Sequence, residues 1–314
     1  LGGLLSLALL PLLLWPSAPA AMVARLPGAP VAVAADAATH RVLLTTTQDN
    51  AVVSLDGHGA TDRRYGIALA DGLPSAVAVD PVLGHVYVAT TWSRLLVLAG
   101  PSATPLATIN LHQGALAVAV NPSTSRVYVA TRSDHPTLAP DALVVLDGVR
   151  QTILAERPMG AGPSRLALDP TTDRVYVTDD ASDTLTVLDG TGNSLLAPLR
   201  LGHGPHELAV NARTGRVYVS NGLGHSISVL DGVHPRPLAT LPFAGNPGVL
   251  AVNERSGRLY VADTRGAVVV LGGASNRPLA RVPLGQQPAG LAVDAARNRV
   301  YVTDPLDGSL WLLE

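Results

Sequence analysis

From residue 30 onward the chain alternates short apolar runs with polar turns rich in Gly, Pro, Asp and Thr. Leu166-Ala167-Leu168-Asp169 is one such run, Pro170-Thr171-Thr172-Asp173 reverses the chain, and Val175 to Thr178 forms the next run. After a polar gap come Leu185 to Leu188, the Asp189-Gly190 turn, and a fourth run from Leu195 to Leu201. Short apolar segments separated by tight-turn residues predict strands, and four in succession predict one antiparallel sheet.

The unit repeats. Arg174-Val175-Tyr176-Val177-Thr178-Asp179 has counterparts starting at Arg126, Arg216, Arg258 and Arg299, with a further copy at His85 to Thr90. Five residues before each stands an Asp or Asn, at Asp80, Asn121, Asp169, Asn211, Asn253 and Asp294, and Asp36 heads a weaker first copy. Successive anchors are 44, 41, 48, 42, 42 and 41 residues apart, the period of propeller blades. A sheet that is apolar on both faces must stack on neighbours, and a closed ring supplies them while leaving only short edges. The expected fold is therefore all-β, a seven-bladed β-propeller of four-stranded antiparallel blades. Met22 to Gly28 matches the fourth-strand segment Leu279 to Gly285, and the last copy stops at Leu313-Glu314 where others continue Leu-Asp-Gly. Residues 22–28 are thus expected to close the last blade, tying down both ends of the chain.

The first twenty residues differ in kind. Leu4 to Leu14 is almost continuously apolar, and Ala18-Pro19-Ala20 offers small residues at the spacing read by signal peptidase. The run is shorter than the roughly 20 residues of a bilayer span, and Pro11 interrupts it. The division expected is a signal peptide over 1–20 and the propeller over 21–314, giving a periplasmic or secreted protein free of the membrane once the signal is removed. An apolar content of 47% against 15% charged residues fits a compact fold. The 22 basic and 24 acidic residues are spread without blocks, so there is no footprint for nucleic acid. Without cysteine or lysine, thiolate nucleophiles, disulfides, Schiff bases and a P-loop lysine are all excluded.

Tyr-Val-Ala-Thr, Tyr-Val-Thr-Asp, Tyr-Val-Ser-Asn and Tyr-Val-Ala-Asp at the second strand of successive copies resemble the Tyr-Val-Thr-Asn segment of the extracytoplasmic YVTN β-propeller repeat family. The resemblance spans roughly residues 22–314. It departs at the first copy, where Leu43 replaces the Tyr, and at the second and third, where Thr replaces the acidic or amide residue. It implies a seven-bladed, exported protein of the kind found in surface layers and the periplasm, and it assigns no activity.

The repeat's own marks read as structural: Tyr packing between blades, Asp or Asn capping the first turn, and Asp-Gly making the third hairpin. Functional residues are sought where one copy departs from the rest, on the face built by the fourth-to-first and second-to-third connections. His203, His206 and Glu207 lie in such a stretch and, with His225, form a candidate ligand set for zinc, copper or iron. The alternative pairs Glu207 with its equivalent one blade earlier, Arg165. The connection between Thr131 and Ala142 is expanded and carries Asp134 and His135. Asp179, Asp180 and Asp183 offer oxygen ligands of the kind calcium accepts, or else a solvated turn. Trp92 and Arg94 sit on the same kind of connection, where an exposed Trp marks a contact surface. No Gly-x-Ser-x-Gly, His-Glu-x-x-His or Gly-x-Gly-x-x-Gly pattern occurs. Equivalent first-strand positions read Ala32, Ala76, Ala117, Arg165, Glu207, Val249 and Gly290, unlike the acidic and amide set of propeller lactonases.

These residues together predict a monomeric binding protein that needs no cofactor to fold, its loop face taking a protein, peptide or glycan at the cell envelope. A metal-dependent hydrolase or oxidoreductase using His203, His206, Glu207 and His225 is the alternative, and a structural surface-layer module is a third.

Overall fold

The structure is a computed structural model, and it describes residues 20–26, 28–56, 61–67, 71–100, 102–133, 140–159, 162–190 and 195–314. Among them, seven four-stranded antiparallel sheets form a β-propeller. Blade five shows the plan: Pro205–Asn211 lies innermost, followed outward by Arg216–Asn221, Ser226–Asp231 and Arg236–Pro242. The inner strands of the other blades, in order from the first, are Pro30–Asp36, Pro74–Asp80, Gly114–Asn121, Pro163–Asp169, Pro247–Asn253 and Gly290–Asp294.

Burial follows from stacking. The second strand of blade five is buried at five consecutive residues, because both its faces meet a neighbouring blade, whereas its outermost strand is largely exposed. The core is accordingly divided into layers between blades: Tyr176, Leu185 and Val187 of blade four pack on Leu208, Val217, Val219 and Leu230 of blade five. At about 25 cal/mol per Å² of apolar surface, such layers supply the main stabilisation of a fold with this much backbone to order.

The repeated Arg-x-Tyr and Asp-Gly segments turn out to be two halves of one clasp. The hydroxyls of Tyr87, Tyr128, Tyr176 and Tyr218 donate to the carbonyls of Gly148, Gly190, Gly232 and Gly273 in the next blade, at 3.3, 2.7, 3.0 and 3.2 Å. Arg126, Arg174 and Arg216 donate to the last three of these carbonyls as well. A Cβ added at Gly232 would stand 2.6 Å from the Tyr176 hydroxyl, so the close approach requires glycine. Burial pushes the Tyr128 and Tyr176 phenols up to about 12, which keeps them protonated as donors. Each inner strand ends in the expected cap: Asp169 Oδ1 accepts from the Thr171 amide at 2.9 Å, Asn253 Oδ1 from Arg255 and Asp294 Oδ1 from Ala296 at 3.0 Å.

Ring closure occurs as the sequence predicts, with a shift in boundaries. Ala20–Arg25 pairs antiparallel with Ser309–Leu313 and completes the sheet of Gly290–Asp294, Arg299–Asp304 and Ser309–Leu313. The closing strand is therefore Ala20–Arg25 and not residues 22–28. The match to Leu279 to Gly285 ran past the strand into the following turn, where Gly28 and Gly285 both take positive φ, 93° and 45°. In blade seven the third and fourth strands come from opposite parts of the sequence, so no Asp-Gly turn faces Tyr260. No clasp of the kind made by Tyr218 forms there among the described residues. The predicted leader over 1–20 lies, apart from Ala20, outside the described residues.

Candidate functional site

The inner strands of blades one to six begin with a register shift, as between Pro163 and Arg165 in blade four and between Pro205 and Leu208 in blade five. Such bulges re-aim a side chain, and hydroxyls from the second strand hold these two in place. The Arg165 and Glu207 amides donate to Thr178 Oγ1 and Ser220 Oγ, each at 3.2 Å, and Thr178 Oγ1 also reaches the His206 carbonyl at 3.1 Å. Thr178 and Ser220 are the third residues of the Tyr-Val-Thr-Asp and Tyr-Val-Ser-Asn segments, and both are fully buried.

Arg165 and Glu207 meet across the boundary between blades. Arg165 Nε donates to Glu207 Oε1 at 2.7 Å, and its Nη1 donates to the Ser164 carbonyl at 2.9 Å. His206 Nδ1 lies 3.5 Å from the same Glu207 oxygen, with its ring half exposed. The group borders a cavity of about 610 Å³ at the mouth of the central channel, facing Val31 of blade one, Val249 of blade six and Ala289 of blade seven. Its size falls within the roughly 300–1,000 Å³ typical of ligand sites, and a mainly apolar wall with few polar groups is their usual chemistry. Asn246 and Gln287 also line it. Neither stands out in the sequence, and Asn246 belongs to a stretch that reads there as ordinary repeat; only ring order brings it opposite Arg165.

The four candidate metal ligands do not converge. His203 Nδ1 pairs with Asp183 Oδ2 at 3.0 Å, while His225, at φ 44°, turns its Nδ1 to the Gly245 carbonyl at 2.9 Å. Only His206 and Glu207 share a site, and no cluster of three or more His, Asp or Glu suited to a metal forms among the described residues. The acidic group is likewise dispersed. Asp179 is buried and its Oδ1 accepts from the Ala181 and Ser182 amides at 3.1 and 3.0 Å. Asp180 pairs with Arg132 of the preceding blade at 3.0 Å and borders the cavity. The Gly204 amide and His203 hold the exposed Asp183 carboxyl below its ordinary range.

Trp92 is 60% exposed on its turn, and Arg94 pairs with Asp71 at 3.0 Å, but neither borders the channel cavity. Asp134 and His135 lie outside the described residues. The base of their loop is pinned by Asp141, whose carboxylate accepts from the Ser133 and Gly162 amides at 2.8 and 3.0 Å.

No protein-family model and no curated protein matches this chain. Solved structures do. The WD40 repeats of RRP9 share 10% identity over 95% of this chain and 98% of that one, with a TM-score of 0.80. The structure of U3-55K shares 10% over 94% and 98%, also at 0.80. Hydrazine synthase of Kuenenia stuttgartiensis shares 15% over 91% and 95%, at 0.77. A WD40-repeat protein and a synthase on one architecture illustrate that this likeness carries the fold and no activity.

Proposed function

We propose that this chain is an exported, YVTN-type propeller that works as a binding module, receiving a protein, peptide or glycan of the cell envelope at the mouth of its channel. The apolar stretch and small-residue site over residues 1–20 support export, and the Tyr-Val-x-x segments support the repeat type. The observation that carries the binding reading is the channel-mouth cavity with the Arg165–Glu207 ion pair on its wall. Arg165 and Glu207 are the two charged residues among seven equivalent inner positions, and they sit side by side on a mainly apolar wall. A guanidinium and a carboxylate placed together recognise a ligand that offers an acceptor and a donor side by side, as a peptide unit or a sugar diol does. The ligand supplies the groups, so no cofactor is required.

Peptide and glycan arrays probed with the wild-type protein and with Arg165→Ala test this reading. The expected result is a set of related ligands retained by the wild type and weakened about tenfold or more in the variant. Ligands retained equally by both proteins would place recognition elsewhere and overturn it.

A further inference from the structure

The repeat supplies its own baseline, since a residue that serves stacking should recur in every copy. Three residues that most copies lack coincide between blades five and six. Phe243, the sole phenylalanine of the chain, follows the fourth strand of blade five, where its amide bonds back to His225. The residues making the same backbone bond in blades two, four and six are Leu111, Leu201 and Leu284. Arg265 occupies the turn position held by Trp92, Ala181, Leu223 and Leu306 in blades two, four, five and seven. Arg281 pairs with Val269, where the corresponding strand positions in blades two, three and five are Thr108, Glu156 and Thr240, while blade one has Arg64 opposite Val53.

These side chains border a groove of about 350 Å³ that runs along the outer part of the interface and is distinct from the channel mouth. Its wall is apolar, made by Ile227, Leu241 and Phe243 on one side and Val269 and Leu271 on the other. At one end Asp263, only 1% exposed, meets Arg265 at 3.3 Å and Arg281 at 3.4 Å. Gly245 makes room for it, since a Cβ there would stand 2.5 Å from the Asp263 carboxylate. Burial pushes the Asp263 carboxyl up, but Arg265 and the Asn246 amide outweigh that and hold it below its ordinary range, so it stays ionised. Two guanidiniums against one carboxylate leave a net single positive charge, and no other titratable side chain lines the groove among the described residues. Both guanidiniums are also half exposed, at 59% and 41%, so they retain donors for a further acceptor. Toward the opposite face, Asn276 Oδ1 is shielded from solvent and accepts no hydrogen bond.

We infer that this groove is a second binding site, for a small amphipathic carboxylate whose apolar body lies along Phe243 and Leu271 and whose anionic head meets Arg265 and Arg281. The volume lies at the small end of the ligand-site range of roughly 300–1,000 Å³, which suits a short chain and not a macromolecule. The apolar wall supplies most of the binding free energy, while the arginine pair selects the charge.

Calorimetric titration of the purified protein with octanoate, octanol and octylammonium tests it without any variant. Octanoate should saturate at one per chain and bind about tenfold or more tighter than octanol, with octylammonium weaker still. Arg281→Gln should remove that preference while leaving octanol binding as it was. Failure of octanoate to saturate, equal binding of octanoate and octanol, or an Arg281→Gln protein that keeps the preference would each overturn the proposal. So would loss of octanoate binding in Arg165→Ala, because that would place the ligand at the channel mouth.

Discussion

The two rims of the ring are built differently from the same repeat. On the rim formed by the first-to-second and third-to-fourth turns, one blade can be read from another. Tyr128, Tyr176 and Tyr218, their arginines and the facing glycine carbonyls recur with little change, and Asp or Asn caps every inner strand. On the opposite rim the copies part company, and the residues found there are Arg165, Glu207, His206, Trp92 and Arg265. Uniformity marks what stacking demands of every blade. Divergence marks positions released from that demand, and both the channel-mouth cavity and the groove between blades five and six are built from them.

That contrast can be broken experimentally, starting where the effect should be largest. Deleting residues 20–26 removes the fourth strand of blade seven and should abolish the cooperative thermal transition followed by circular dichroism. Tyr176→Ala empties a fully buried site between blades and should cost about 3–5 kcal/mol in urea unfolding. Tyr176→Phe removes only the clasp hydroxyl and should cost about 1 kcal/mol, whereas Tyr260→Phe, where no clasp forms, should cost almost nothing. Equal losses from the two Tyr→Phe changes would show that the clasp adds no stability.

Acid should weaken the ring in a defined direction. Asp263 and Asp183 are held below their ordinary range in the folded chain. The stability they contribute is therefore complete above the unfolded carboxyl value of about 3.9 and is lost as pH falls through the lower folded values. Urea midpoints measured between neutral pH and about pH 3 should fall below about pH 4, and the fall should be smaller in Asp263→Asn. The smallest stability effect is expected on the divergent rim. Arg165→Ala should cost under about 1 kcal/mol, because its ion pair is partly solvated, even though it is the variant expected to lose ligand. His203→Ala with His206→Ala should leave elemental analysis unchanged, with no stoichiometric transition metal in either protein.

The sequence carried the ring because stacking leaves a signal in every copy, and seven copies average out local irregularities. The pairing of Glu207 with Arg165 was also readable, since the two occupy the same position in adjacent blades. The cavity they border was not. Its far wall comes from Val31, Val249 and Ala289, which are unremarkable in sequence and meet Arg165 only because the ring returns to blade one. Proximity in sequence misled in the other direction for the histidines. His203 sits on a turn that faces Asp183 of the preceding blade, and His225 is drawn to a carbonyl of the following one. Neighbours along the chain thus point into different gaps between blades. The arginines of the groove are separated by the whole third strand of blade six, Ala267–Gly272, and the turn after it, and nothing in their spacing shows that they reach one carboxylate.

The pairing of Ala20 with Leu313 joins the strand that precedes all the others in the chain to the strand that follows them all. No order of synthesis can complete this ring early: Ala20–Arg25 must wait, unpaired, until Ser309–Leu313 has been made. Once made, the edge of Ser309–Leu313 is equally open to the same strand of another molecule. Exchange between two chains would reproduce every native contact, so refolding yield should fall with protein concentration and swapped dimers should be the first by-product.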